Sequence, residues 1–195
     1  MAGPMAGPNR TRRRSVRSAP VVRGVGLDRT AGTDDGEPRQ VVVPSLGVLL
    51  DGVGNPHNLG AILRSAAHFG VGALLLPKDS GLALSGAAAR VAEGGAEDVP
   101  IVRRGRSDNA LDQLRSAGFV IAATVVRGGA SLHQAKLPAR LVFVLGAEQH
   151  GVDPALAMAS LMQLEIPGRG AVESLNVASA ASVLMSEWLR QHPAR

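Results

Sequence analysis

This chain of 195 residues contains neither cysteine nor tyrosine. It has only one tryptophan and three phenylalanines. The absence of cysteine excludes disulfide bonds, thiol catalysis and metal sites built on thiolates. The scarcity of aromatic side chains also disfavours a platform on which nucleic-acid bases could stack. Binding of a nucleic acid would therefore have to rest on charge and shape.

Long apolar runs are missing as well. None approaches the roughly 18 to 20 residues needed to span a bilayer. Residues 1–14 hold glycine, proline and arginine without the apolar core of a signal peptide. Hydrophobic residues nevertheless make up 45% of the chain, which is too many for a disordered protein. These features predict a soluble cytoplasmic protein.

The usual phosphate-binding loops are also absent. Gly52-Val53-Gly54 begins like a dinucleotide fingerprint, but its third glycine would fall at position 57, which is His57. There is no Walker A lysine, and the histidines are isolated rather than paired at a metal-binding spacing. We therefore expect no metal cofactor.

Positive charge is concentrated at the N-terminus. Residues 1–40 contain eight arginines and four acids, a net charge of +4, whereas residues 41–195 contain thirteen basic and twelve acidic residues. We interpret residues 1–40 as a flexible basic arm that could attract RNA phosphates, or else as a solvated leader without a ligand. Its candidate RNA contacts are Arg10, Arg12, Arg13, Arg14 and Arg17. Residues 41–195 have the length of one domain.

From residue 41 onward, short apolar runs alternate with helical patterns. Strands are predicted at 46–50, 73–76, 99–102, 119–124, 141–145 and 162–166. Helices are predicted at 58–69, 85–93, 108–117, after position 153 and at 176–190, with caps at Asn58, Asp108, Asp153 and Ser174. Strands that are apolar throughout and separated by helices predict an α/β fold, with a mostly parallel sheet covered on both faces.

Three polar constellations follow predicted strands. The first holds Asn58 and Arg64, with Gly60 permitting close approach of a backbone or ligand. By themselves, Asn58 could simply cap a helix and Arg64 could be solvated. The second is Leu145-Gly146 followed by Glu148, whose carboxylate could equally be solvated.

The third constellation runs from the strand ending at Ile166-Pro167 through a glycine-rich turn to Ser174-Leu175-Asn176. A capping role alone would explain Ser174. It would not explain a long turn with two glycines and a proline. Junctions between a strand and a loop are where an α/β sheet exposes backbone groups to a small ligand.

In this order, the three constellations resemble the three motifs of the SpoU/TrmH family, in the SPOUT class of RNA methyltransferases. The resemblance covers residues 46–189. It implies a deep trefoil knot in the C-terminal region and a homodimer that completes the active site. It also implies an S-adenosylmethionine site around Leu145, Gly146, Ile166, Pro167, Leu175 and Asn176.

The reaction implied by the resemblance is methyl transfer to a ribose 2′-hydroxyl of rRNA or tRNA. Arg64 would bind a phosphate and stabilise alkoxide charge, since a guanidinium with a pKa above about 12 is a poor general base. Asn58 and Ser174 would orient the arginine and the nucleotide, Glu148 would hold Arg64, and Asn176 would shape the cofactor loop. Gly168-Arg169-Gly170 replaces the methionine that many relatives place after the proline, so Arg169 is a further candidate contact for RNA or for the cofactor carboxylate.

Two alternatives stay open. The chain could be a non-catalytic RNA-binding homologue that keeps the fold, or an α/β protein that binds another nucleotide. Many relatives also carry a separate folded RNA-binding domain, for which residues 1–40 are too short and too polar. The arm would replace that domain, or the chain would be a catalytic fragment.

Overall fold

The computed structural model describes residues 45–104 and 110–193. The predicted basic arm with its arginines, and the predicted helix cap Asp108, lie outside the described residues. In the described part of the chain, no helix combines the length and apolar character needed to cross a bilayer.

A seven-stranded sheet forms the centre of the fold, in the order β3-β2-β1-β6-β4-β7-β5, and every neighbouring pair is parallel. The strands are β1 (Ser45–Asp51), β2 (Ala73–Pro77), β3 (Ile101–Arg104), β4 (Val120–Thr124), β5 (Ala130–Ser131), β6 (Arg140–Gly146) and β7 (Met162–Glu165). The predicted α/β class with a mostly parallel sheet is confirmed.

Helices cover both faces of this sheet. They are α1 (Pro56–His68), α2 (Gly86–Ala92), α3 (Gly95–Asp98), α4 (Ala110–Ser116), α5 (Pro154–Ala159) and α6 (Val177–Gln191). The larger apolar core lies on one face, where side chains of α1 and α6 form one cluster with alternate residues of β1, namely Leu46, Val48 and Leu50, and α2 packs on α1. A smaller core lies on the opposite face beneath α4 and α5. This arrangement explains why β6 is apolar throughout, since it is buried from both sides.

Two helices begin elsewhere than predicted. The cap of α1 is Asn55, whose side-chain oxygen accepts from the backbone N–H of His57 at 2.9 Å, and Pro56 occupies the first helical turn. Asn58 therefore lies inside the helix, and the predicted capping role is wrong. The cap of α6 is Asn176 rather than Ser174, because the Asn176 side chain accepts from the N–H of Ala178 at 2.9 Å.

Other boundaries also differ from the sequence prediction. The four-residue helix α3 and the two-residue strand β5 are too short to leave a periodic pattern, and neither was predicted. Strand β3 begins at Ile101, two residues later than predicted, and Val99 is instead the C-cap of α3, with its N–H donating to the carbonyl of Gly95 at 3.1 Å. Asp153 caps α5 as predicted, accepting from the N–H groups of Ala155 and Leu156.

The strand order places the chain's polar loops at one edge. The first three strands build outward from β1, and β6 then inserts between β1 and β4. Because all strands are parallel, the loops after β1, β4, β6 and β7 leave from the same edge of the sheet. Such a reversal of strand order opens a crevice at the carboxyl ends of the strands, where α/β proteins bind ligands.

A buried carboxylate anchors the last helix. Glu187 is 7% exposed and accepts from the Arg190 guanidinium at 2.7 and 2.9 Å and from Gln191 at 2.7 Å. The hydrogen bond from Arg190, aided by that from Gln191 and opposed by burial, lowers the pKa of Glu187 to about 2. Gln191 also accepts from the N–H of Leu137 at 2.9 Å, so this cluster ties α6 to the segment that precedes β6.

Candidate functional site

Three of the predicted site residues meet in one hydrogen-bond network at the crevice. Asn58 donates from Nδ2 to Oε1 of Glu148, and Asn176 donates from Nδ2 to Oδ1 of Asn58 at 3.2 Å. Asn58 is 9% exposed, whereas the other two residues are exposed. The network joins helix α1, the loop after β6 and the start of α6, so each constellation contributes one member.

Glu148 is held in place by the tight turn that follows β6. The backbone N–H of Gly151 donates to the carbonyl of Ala147 at 2.8 Å, and Gly151 has a φ of 67°. A Cβ at Gly146 would overlap the backbone of Gly151, so no larger residue fits at this strand end. The turn brings the Glu148 carboxylate back over the start of α1.

A carboxylate that was not predicted from the sequence fixes the other side of this turn. Asp51 ends β1, is 6% exposed, and accepts from the backbone N–H of Asp153 at 2.8 Å. It lies beside Gly146 in the sheet register. An acid that closes an apolar strand is the signal that could have identified it, because such a buried carboxylate needs hydrogen-bond donors.

Asn176 uses both ends of its amide. The oxygen accepts from the N–H of Ala178, while the nitrogen donates to Asn58. This double use explains why Asn176 rather than Ser174 caps α6, since a serine hydroxyl two residues earlier could not make both contacts. Ser174 is exposed in the loop.

The loop between β7 and α6 forms one wall of the crevice. Ile166 is half-buried against the main core, whereas Pro167, Arg169 and Leu175 are exposed, Leu175 by 50%. Leu145 lies beneath the crevice in β6 with 2% exposure. The candidate cofactor residues therefore lie at the ends of β6 and β7 and in the loop after β7, where they combine aliphatic surface with backbone groups.

A further wall, also missed from the sequence, is the loop 125–129 after β4. Strand β4 lies between β6 and β7, so this loop leaves the sheet between the two predicted loops. The N–H of Val125 donates to the carbonyl of Leu164 at 2.9 Å, and a Cβ at Gly129 would lie 2.9 Å from the Glu165 nitrogen. Arg127 donates to Glu173 at 2.8 Å, which links this loop to the wall formed by residues 166–176. A strand running into a turn with two glycines was the signal available here, as in the two loops already identified.

Arg64 lies apart from this network. Its Nη1 forms an ion pair with Oε1 of Glu93 at 2.8 Å, and the two side chains are 59% and 61% exposed. Within one chain, Arg64 therefore pairs with Glu93 rather than with Glu148, and the roles predicted for Glu148 and Asn58 toward Arg64 stay predictions. Asn58 and Arg64 lie within α1, six positions apart, and therefore differ by about 120° around the helix and about 9 Å along it.

The polar groups of the site are hydrogen-bonded to one another. Across residues 45–104 and 110–193, no three histidine, aspartate or glutamate side chains converge on a position where they could hold a metal ion. The crevice instead offers one carboxylate, two carboxamides, backbone groups at strand ends and aliphatic surface. Such a set suits a partly apolar ligand that is oriented by a few hydrogen bonds.

The sequence profile of the SpoU rRNA Methylase family matches residues 45–186, which include all three constellations. The chain belongs to this family. The resemblance predicted from the motifs is thus confirmed, and the network joins the three family motifs through Asn58, Glu148 and Asn176.

Curated relatives of the family align with most of this chain. This chain is 42% identical over 145 residues to YfiF of Escherichia coli O157:H7, which is named an uncharacterized tRNA/rRNA methyltransferase. The alignment covers 74% of this chain and 42% of YfiF. The chain is 38% identical over 152 residues to RlmB of Nitrosomonas europaea, a 23S rRNA (guanosine-2'-O-)-methyltransferase, covering 78% of this chain and 58% of RlmB. The chain therefore spans about half the length of these curated relatives.

Solved structures of SpoU proteins share the fold. The SpoU methyltransferase AviRb from Streptomyces viridochromogenes, solved in complex with the cofactor AdoMet, superposes with a TM-score of 0.71 at 27% identity. The superposition covers 80% of this chain and 61% of AviRb.

Proposed function

We propose that this protein transfers a methyl group from S-adenosylmethionine to a ribose 2′-hydroxyl of structured RNA, in rRNA or tRNA. The observation that carries the proposal is the hydrogen-bond network that links Asn58, Glu148 and Asn176 at the carboxyl ends of the central strands. It brings one residue of each family motif to a single crevice. Membership of the SpoU family and the names of the relatives support the same reaction.

The residues at the crevice fit S-adenosylmethionine. Half-buried Ile166 and half-exposed Leu175 provide aliphatic surface for a neutral adenine ring, with backbone groups near Gly146 and Pro167 as hydrogen-bond partners. When bound, this cofactor supplies a methyl group that its sulfonium charge already activates for transfer. Asn176 shapes the cofactor loop from the start of α6, and Asn58 holds Asn176 in that position.

Arg64 is assigned to the RNA. Its permanent positive charge would bind a backbone phosphate beside the target ribose and stabilise negative charge that develops on the 2′-oxygen. A phosphate or water would take the proton, because the guanidinium cannot accept it at neutral pH. Ser174, exposed in the loop before α6, would orient the nucleotide.

We propose that the active site is completed in a homodimer through a knotted C-terminal region. Within one chain, Arg64 lies on a different side of α1 from Asn58, so a second copy would bring arginine and cofactor together. Exposed apolar side chains support an interface beside α5 and the loop before α6, since Met158, Leu161 and Val172 are 82%, 79% and 80% exposed. The trefoil knot is proposed from the family resemblance alone.

We further propose that residues 41–195 are the catalytic domain of a cytoplasmic protein and that the basic arm over residues 1–40 contributes RNA affinity. Arg169, exposed in the loop after β7, would add a contact to RNA or to the cofactor carboxylate. Contacts of this kind recognise phosphate rather than sequence, so affinity should fall steeply with salt.

The decisive experiment combines cofactor binding with mapping of RNA methylation. Calorimetry should show that S-adenosylmethionine binds both wild type and Arg64→Ala. Mass spectrometry of rRNA and tRNA from cells with and without the gene should locate a ribose methyl group that depends on it, and Arg64→Ala should fail to restore that group. Cofactor binding without any changed ribose would instead favour a non-catalytic RNA-binding homologue, and loss of binding in Arg64→Ala would contradict the assigned roles.

A further inference from the structure

Glu93 holds a backbone conformation that its residue type disfavours. It ends α2 with φ 45° and ψ 50°, and it is the only residue other than glycine with a positive φ in the described part of the chain. Gly94 follows with a φ of 87°. A Cβ makes this left-handed region unfavourable, and glycine is the usual residue where a helix ends in this way. A glutamate therefore stands where the local backbone favours glycine.

The Glu93 side chain makes one ion pair, with Arg64 at 2.8 Å. Both partners are more than half exposed, and ion pairs of that kind contribute little to folding stability. Folding stability therefore does not explain why a glutamate occupies position 93. Backbone conformations of this kind persist where the position of a side chain matters for function.

The turn that carries Glu93 is fixed against the backbone of Arg64 itself. A Cβ at Gly95 would lie 2.7 Å from the Leu63 carbonyl oxygen and 3.1 Å from the Arg64 Cα. One helical turn earlier, a Cβ at Gly60 would overlap the backbone of α2 at Ala88. The two backbones touch at both points, so the Glu93 carboxylate is presented to Arg64 from a rigid support.

We propose that Glu93 is a positioning residue that acts through Arg64. Its carboxylate engages Nη1 and holds the guanidinium in one orientation, and the remaining N–H donors stay available to an RNA phosphate. Arg64 then meets the RNA without first losing side-chain freedom. This inference rests on the proposed function, since it assigns to Arg64 a phosphate near the reacting ribose.

Two substitutions at Glu93 distinguish a role in positioning Arg64 from a role in folding stability. Glu93→Gln keeps the size and the backbone conformation but removes the charge, whereas Glu93→Gly removes the carboxylate and relieves the left-handed backbone. Both should lower kcat for RNA methylation by about two- to fivefold, the range that an exposed ion pair can supply, with little change in KM or in cofactor affinity. Glu93→Gly should do so while its Tm stays equal to that of wild type or rises, which a merely structural role would not produce. Glu93→Asp, which keeps the charge, should recover part of the lost kcat.

A matched control is Asp112→Asn, which breaks another exposed ion pair, from Asp112 to Arg115 at 2.7 Å, away from the site. It should leave kcat unchanged.

A readout independent of catalysis is the ¹⁵N NMR spectrum of the arginine side chains, with the Arg64 signals assigned by their loss in Arg64→Lys. Wild type should show distinct, slowly exchanging Nη signals for Arg64, and Glu93→Gln should show averaged ones.

The possible outcomes distinguish this inference from the proposed function. If Arg64→Ala abolishes methylation but both Glu93→Gln and Glu93→Gly keep the wild-type kcat, the positioning role is overturned and the function stands. If Glu93→Gln lowers KM for RNA and leaves kcat alone, Glu93 competes with the phosphate and the positioning role is again overturned. If wild type methylates no RNA, the function fails, and unchanged Arg64 signals in Glu93→Gln would overturn the positioning role independently.

Discussion

Asn58 is the central member of the network, and replacing it with aspartate offers a sharp test of the site geometry. Asparagine presents a donor to Glu148 and an acceptor to Asn176. Asn58→Asp keeps the shape and the acceptor but sets a second carboxylate against Glu148. Asn58→Ala removes both hydrogen bonds without adding charge. Comparing the two variants isolates the electrostatic part of the contact.

The expected magnitudes follow from the contacts and the exposure of the partners. The hydrogen bond to a carboxylate contributes about 1.5–3 kcal/mol and the neutral one about 0.5–1.5 kcal/mol, but water can replace part of both because Glu148 and Asn176 are exposed. We therefore expect Asn58→Ala to lower the free energy of unfolding by about 1–2 kcal/mol, or roughly 2–8 °C in Tm. For Asn58→Asp at pH 8 we expect a loss of about 2–4 kcal/mol, because two carboxylates in contact repel each other.

The pH dependence of the stability of Asn58→Asp tests the contact between Asn58 and Glu148. In the Asn58→Asp variant, repulsion between the introduced carboxylate and Glu148 raises the folded-state pKa of the pair, so stability should recover as the pH falls toward about 5 and one proton is shared. Thermal unfolding followed by circular dichroism at pH 5 and pH 8 measures this directly. Ser65→Ala serves as the control on the same helix, since it removes one neutral hydrogen bond, to Ser182, at 2.8 Å. An Asn58→Asp variant as stable at pH 8 as Asn58→Ala, or without its own pH response, would refute the contact between Asn58 and Glu148.

Two further predictions concern other parts of the fold. Because the pKa of Glu187 is lowered from 4.5 to about 2, its ion pair with Arg190 contributes stability that is fully present above pH 4.5 and is lost as the pH falls toward 2. We expect the free energy of unfolding to fall by about 2 kcal/mol over that pH range, after allowance for the exposed Arg190. The stability of a Glu187→Gln variant should depend less on pH in this range. Equal acid sensitivity of wild type and variant would contradict this prediction. At the strand end, Gly146→Ala would drive a Cβ into the backbone of Gly151, so we expect at least about 3 kcal/mol of destabilisation and weakened cofactor binding in calorimetry. Gly81→Ala, in the loop after β2, whose Cβ would meet no atom within 4 Å, should change neither.

The central strands and most helices could be predicted from the sequence because their burial is visible within single segments. Strand β6 is apolar along its length since both of its faces are covered, and Asp153 followed by Pro154 marks the start of α5 directly. The start of α1 was ambiguous because Asn55 and Asn58 can both cap a helix. Pro56 was the deciding local signal, since proline favours the first helical turn.

The parts that could not be predicted depend on residues distant in the chain. Choosing Asn176 over Ser174 as the cap of α6 requires knowledge that Asn58 lies within reach of the amide, although 118 positions separate the two asparagines. The ion pair between Arg64 and Glu93 likewise exists because α2 packs closely on α1, which depends on Gly60. The sequence could therefore identify Asn58, Glu148 and Asn176 as polar residues of the crevice, but it missed Asp51 and could not show which partner each residue contacts.

The insertion of β6 beside β1 has a consequence for how the protein is made. Ser45 pairs with Arg140, which lies 95 positions later, so the ribosome completes β1, β2 and β3 well before their central neighbour exists. At about 5–20 residues per second, the inner edge of β1 stays unpaired for about 5–20 seconds. During that interval it presents free backbone groups on an apolar strand, a state that invites pairing with other nascent chains. We expect the growing chain to depend on a chaperone until residue 146 has left the ribosome.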